Sequence, residues 1–125
     1  MQRLMQNISF KTDDNKLVEM FGDKAQKIAQ KLEGDIKTTQ FRKFYEKVLE
    51  LNDKAQNLND DEFKTQVLPF IKMLNSKVQY AKTRKLCKDG FVTLMEVSIK
   101  NIDSVEKLQN FKYFLEAIIG FMPKR

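Results

Sequence analysis

The apolar residues of this chain recur at intervals of three and four, and nowhere does an alternation of period two persist for a strand's length. That one feature restricts the chain to helices packed on one another. Four Gly and two Pro would not supply the turns of a many-stranded sheet, whereas they suffice to punctuate a few helices. The spacing predicts an all-α chain, a single small bundle of about five helices over residues 1–125. At 125 residues one domain is expected, and ten Phe within 42% apolar residues favour a packed core over disorder.

Residues 1–12 show no clear period and are read as an arm that orders only against a partner. Asp13 or Asp14 can cap a first helix carrying Leu17, Met20, Phe21, Ala25, Ile28 and Leu32, with Gly34 as its left-handed stop. Thr38 or Thr39 caps a second, with Phe41, Phe44, Tyr45, Val48 and Leu51 inward and Arg42, Lys43, Glu46, Lys47 and Glu50 outward. Residues 52–61 read as a polar loop, and a third helix starts at Asp60 or Asp61. Pro69 should kink or restart it, leaving a main run to about Lys85. Lys88-Asp89-Gly90 reads as a turn before a fourth helix with Phe91, Leu94, Met95, Val97, Ser98 and Ile102. Asp103 or Ser104 then caps a last, strongly apolar helix that Pro123 ends. That helix is expected at the centre of the bundle, with any surplus apolar surface serving self-association or a partner.

Charge is unevenly distributed. From Phe63 to Lys88 there is no acid but seven cations, and the rest of the chain holds 16 basic against 17 acidic residues. Ordinary exposed helices mix signs, because opposite charges four residues apart support a helix and like charges weaken it. Lys77, Arg84 and Lys88 should stand nearly in line beside the apolar sector of Val67, Ile71, Leu74, Val78 and Ala81, with Tyr80 flanking the row. Cations beside an aromatic suit a phosphate backbone with bases next to it. The competing reading is a solvated face, with Tyr80 capping the edge of the core and its hydroxyl in water.

Catalytic chemistry is poorly supplied. The chain has no His, so the usual general base near neutral pH and the commonest metal ligand are missing. The lone Cys87 cannot form an intramolecular disulfide and fits a reducing compartment, as a small buried thiol. The acidic runs Asp13-Asp14 and Asp60-Asp61-Glu62 lack calcium-loop spacing and are better explained by capping. The four isolated Gly form no phosphate-binding loop. No enzyme, metal or cofactor is expected. No apolar run is long enough to span a membrane and Met1 to Phe10 is no secretory signal, so a cytoplasmic protein is expected.

Three segments carry a family resemblance. Thr38-Thr39-Gln40-Phe41-Arg42-Lys43-Phe44-Tyr45 resembles the T-T-x-x-I-R-x-hydrophobic signature of the small subunit of type III-A CRISPR–Cas interference (Csm) complexes. Lys77-Val78-Gln79-Tyr80-Ala81-Lys82-Thr83-Arg84 is similar to that family's K/R-x-x-Y-A-x-x-R segment, and Phe111 to Ile119 to its phenylalanine-rich last helix. Together they cover about Thr38 to Met122; Thr83 stands where the family often has a small residue before the Arg. The resemblance implies a non-catalytic helical bundle of antiviral defence. Its copies would stack into a short filament beside CRISPR RNA and target RNA, against the other Csm subunits (the backbone subunits and the large signalling subunit). It implies Arg42, Lys77 and Arg84 as cations facing RNA phosphates, Thr39 as a cap and Tyr80 at or near the RNA-facing surface. Lys43 and Lys85 join that set on their position in the sequence alone.

Two other classes compete with an RNA-contacting subunit. One is a helical protein-interaction module whose basic face meets an acidic partner. The other is a DNA-binding helix-turn-helix, disfavoured by the long expected loop before the basic helix and by the few base-reading side chains at its start.

Overall fold

In the computed structural model, residues 2–12 and 16–122 are described, residues 2 and 3 by their backbone only. All regular structure among them is helical: α1 (Gln2–Met5), α2 (Lys16–Glu19), a π-turn (Met20–Lys24), α3 (Ala25–Leu32), α4 (Thr38–Ala55), α5 (Asp60–Gln66), α6 (Leu68–Thr83), α7 (Asp89–Lys100) and α8 (Val105–Phe121). Because the π-turn joins α2 to α3 and α5 leads directly into α6, these amount to the five expected helices preceded by a short N-terminal turn.

The π-turn has a sequence cause. Met20 and Ala25 are both buried but stand five residues apart, a spacing that an α-helix would spread over different faces. One wider turn returns both to the core side. The expected cap at Asp13 or Asp14 lies outside the described residues, as does Pro123. Gly34 takes φ +82°, the left-handed stop foreseen for the first helix.

The last helix is the hub. α3 and α4 both pack along α8, whose Phe111, Phe114, Leu115 and Ile118 are wholly buried. α7 lies on α6. The stretch expected as an arm instead packs against α8: Met5, Ile8 and Phe10 are buried, and the Phe10 ring centroid stands 5.6 Å from Phe111 and 5.9 Å from Phe114. Polar contacts reinforce this. Asn110 Nδ2 donates to the Phe10 carbonyl (2.7 Å) and to Thr12 Oγ1 (3.0 Å), while the Thr12 amide donates to Glu106 (3.2 Å). Apolar residues at positions 5, 8 and 10 follow neither period, so the pattern did not betray their burial. Asn110→Ala orphans a buried carbonyl and is expected to cost about 1–3 kcal/mol. The urea midpoint should fall, and exchange of the Thr12 amide should quicken.

Several boundaries differ from the sequence reading. Lys37, in extended backbone, takes the N-cap position of α4 without a side-chain cap bond, so Thr38 and Thr39 occupy its first turn. It also runs on to Ala55, because Asn52 and Ala55 are buried and extend the inward face begun by Val48 and Leu51. The loop before the basic helix therefore shrinks to residues 56–59. Its cap is Asn59: Asn59 Oδ1 accepts from the Glu62 amide (2.9 Å) and Glu62 Oε1 from the Asn59 amide (3.0 Å). Asp60 and Asp61 fill the favourable first turn beside them. The helix breaks at Val67 (φ −123°) and restarts with Pro69 in its first turn, as Pro chemistry requires.

Lys88-Asp89-Gly90 is not a free turn, since Asp89 and Gly90 open α7. The sequence gives no local cap there; the cap comes from 53 residues away. Asp35 Oδ1 accepts from the Lys88 (3.3 Å) and Phe91 (3.0 Å) amides, and Oδ2 from Gly90 (2.9 Å). The Lys88 amide also reaches the Asp35 carbonyl at 3.1 Å, beside an isolated antiparallel bridge from Ile36 to Cys87. One carboxylate thus ties the end of the first helical pair to the start of α7.

Candidate nucleic-acid interface

The acid-free basic segment does not present its cations as one row. α6 ends at Thr83 and the chain reverses at Lys85, whose φ is +62°. The Lys85 amide donates to the Lys82 carbonyl and the Leu86 amide to Ala81, both at 2.9 Å, the double closure of a left-handed helix stop. Lys88 is consequently not in line with Lys77 and Arg84; it stands at the first position of the turn into α7, where Asp35 supplies the cap. Two further cations are engaged elsewhere: Lys72 Nζ reaches the Ile99 carbonyl (3.3 Å), and Lys82 Nζ pairs with Asp89 (2.6 Å). That ion pair raises the Lys82 pKa, chiefly through the hydrogen bond to Asp89.

Lys64, on α5, acts on Asp103, and Lys77 lines a groove between α4 and α6. A cavity of about 530 Å³ is lined by Lys43 and Lys47 from α4 and by Lys77 and Tyr80 from α6, over Phe44, Leu74, Ala81 and Leu86. No acid is among its described lining residues. Tyr80 is 62% exposed, and Arg84 lies against it, with the guanidinium carbon 5.6 Å from the ring centroid and Nη1 donating to the phenol oxygen at 2.9 Å. Arg84 is thereby held beside an aromatic face, an arrangement that offers a stacking plane and a fixed positive charge together.

Of the residues singled out in the sequence, the structure brings Lys43, Lys77 and Tyr80 to this groove and places Arg84 at its margin. Lys85 sits just beyond on the reversing turn, exposed. Arg42 is not brought in: at 100° per residue it falls on the opposite flank of α4, where its charge acts on the Tyr45 phenol. Burial raises that phenol's pKa, Glu116 adds to the rise, and Arg42 works against both. Lys47 is the lining cation that sequence reading assigned only to the outer face. Its position four residues after Lys43, on the same helical side, was the available signal.

Lys85 repays a closer look, because a β-carbon in left-handed backbone costs about 1 kcal/mol where glycine costs nothing. Lys85→Gly is expected to hold or raise stability by up to about 1 kcal/mol. If the lysine is kept for its charge, the same variant binds RNA a few-fold more weakly. Cys87 is buried, its Sγ 3.9 Å from the Val78 carbonyl, and burial pushes the thiol's pKa up rather than activating it.

A family model described as Csm2 Type III-A matches residues 15–122. The chain belongs to the Csm2 Type III-A family. It is a subunit of the Csm type of a type III-A CRISPR–Cas system, as its second, third and last helices foreshadowed. No curated protein and no solved structure matches this Csm2-family chain. The match runs from α2 through α8 and so includes α4 and α6, the two helices that form the groove.

Proposed function

We propose that this Csm2-family chain is a non-catalytic structural subunit that lies along CRISPR RNA and target RNA and holds the phosphate backbone without reading sequence. The observation that carries the reading is the acid-free groove in which Lys43 and Lys77 flank Tyr80, with Arg84 laid against the tyrosine ring. Lys85 extends the cationic edge, and Arg42, on the opposite flank of α4, would meet RNA outside the groove. Such a surface offers charge and a stacking face but few groups directed at base edges, so affinity comes from phosphates and the guide strand selects the target. Copies stacked side by side against the other Csm subunits would turn weak single contacts into firm retention through effective concentration.

A DNA-reading helix-turn-helix is not favoured, although the loop before the basic helix is short. α6 opens with Leu68-Pro69-Phe70 behind the acids of α5, which gives no donors for base edges at the end that would enter a groove. The proposal is tested by filter retention of two single-stranded RNAs of unrelated sequence at one salt concentration. Equal retention is expected; a preference beyond about tenfold for either would contradict backbone binding.

A further inference from the structure

The groove does not stop at the cluster just described. Beyond Lys77 it continues into a second cavity of about 270 Å³, lined by Lys47, Glu50, Leu51, Lys54, Phe70, Met73, Leu74 and Lys77. Its chemistry is different. Phe70 is 47% and Met73 52% exposed, and with Leu51 and Leu74 they make a largely aliphatic floor that a phosphate backbone has no use for. Phe70, Met73 and Lys77 follow one another at i, i+3 and i+7 along α6, the spacing by which a second helix packs along a first. The rim is cationic. Lys54 Nζ stands 5.3 Å from the centre of the Phe70 ring, and Glu50 is already paired with Lys47 at 3.7 Å.

We propose that this end of the α4–α6 groove is a docking site for an acidic amphipathic helix of a protein partner. Leucine-like side chains of the partner would enter between Leu51, Phe70 and Met73. Its flanking carboxylates would meet Lys54 on one side and Lys77 on the other. A methionine and a half-exposed phenylalanine suit such a groove, since the thioether adapts its shape to the incoming side chains. Charge complementarity selects the sign of the partner: three lysines surround an apolar floor whose one acid is taken up by one of them. RNA contact centres on the Lys43–Tyr80–Arg84 end, and Lys77 stands at the boundary that the two ends share.

The test uses a fluorescein-labelled peptide of about fifteen residues, glutamate-rich with leucines spaced three and four apart, and a scrambled peptide of identical composition. The full chain should bind the patterned peptide at least tenfold more tightly than the scrambled one. Met73→Asp, a change at an exposed position, should lose at least about tenfold in peptide affinity. Lys54→Glu should weaken it several-fold, and neither variant should lose helical circular dichroism or RNA affinity. Equal binding of the two peptides would reduce the site to general charge attraction and overturn the proposal. So would unchanged peptide affinity in Met73→Asp, or a loss of RNA affinity in that variant, which would make this end part of the RNA surface.

Discussion

Asp35→Ala is expected to lower stability by about 2–3 kcal/mol. Its two oxygens receive three amides at the start of α7, at 2.9–3.3 Å, and two of those bonds are partly buried. Alanine leaves the Gly90 and Phe91 amides without that partner, while the Lys88 amide keeps the Asp35 carbonyl, and it removes a negative charge from the positive end of a helix dipole. The effect should spread because Phe91, in the first turn of α7, is wholly buried against Phe41 and Phe44 at ring distances of 5.3 and 5.1 Å. A loosened α7 start therefore disturbs the core under α4. Asp35→Asn, which keeps one acceptor oxygen, should fall between. Urea unfolding checks this: the midpoint should drop with little change in slope. A shift below about 0.5 kcal/mol would mean that solvent replaces the carboxylate and that the cap is incidental.

Charge reversal at Lys77 and Arg84 together is expected to abolish RNA retention while leaving the fold intact. Both side chains are exposed, so unfolding has no reason to follow. Two phosphate contacts are lost and two repulsions created, which together should weaken binding on the order of a hundredfold. Arg84→Glu also removes the guanidinium from the Tyr80 ring and frees the phenol. Circular dichroism should be unchanged, and RNA affinity measured beside it should collapse. An unaltered affinity would sink the assignment of this groove to RNA.

The helices were legible because burial follows a 3.6-residue period nearly throughout, and the central place of α8 was written in its Phe-rich face. Where the reading went astray, the cause was mostly contact distant in sequence. Nothing near Lys88 announces that its helix is capped from Asp35. Phe10 joins the core by packing on Phe111 and Phe114, with no periodic pattern of its own. Asn52 looked like loop because it is polar, yet it is buried on α4 and lengthens that helix. The basic groove was half legible. The acid-free run pointed to α6, and the i, i+3, i+7 relations gave Lys77, Tyr80 and Arg84 a shared side. That α4 supplies the opposite wall through Lys43 and Lys47, and that Arg42 turns away from it, depends on how α4 packs against α6. Helical spacing within a single segment does not contain that information. The left-handed stop at Lys85 was hidden for a simpler reason: a lysine stands where glycine is the usual signal.

The proposed hold of this Csm2-family subunit on RNA phosphates is tested most directly by its salt dependence. Fluorescence anisotropy with a labelled single-stranded RNA, titrated between about 50 and 200 mM salt, should give a logarithmic slope of roughly −2 to −3. That is the value for three or four phosphate contacts at about −0.7 each. A slope near zero, or no binding even at the lower salt, would contradict it.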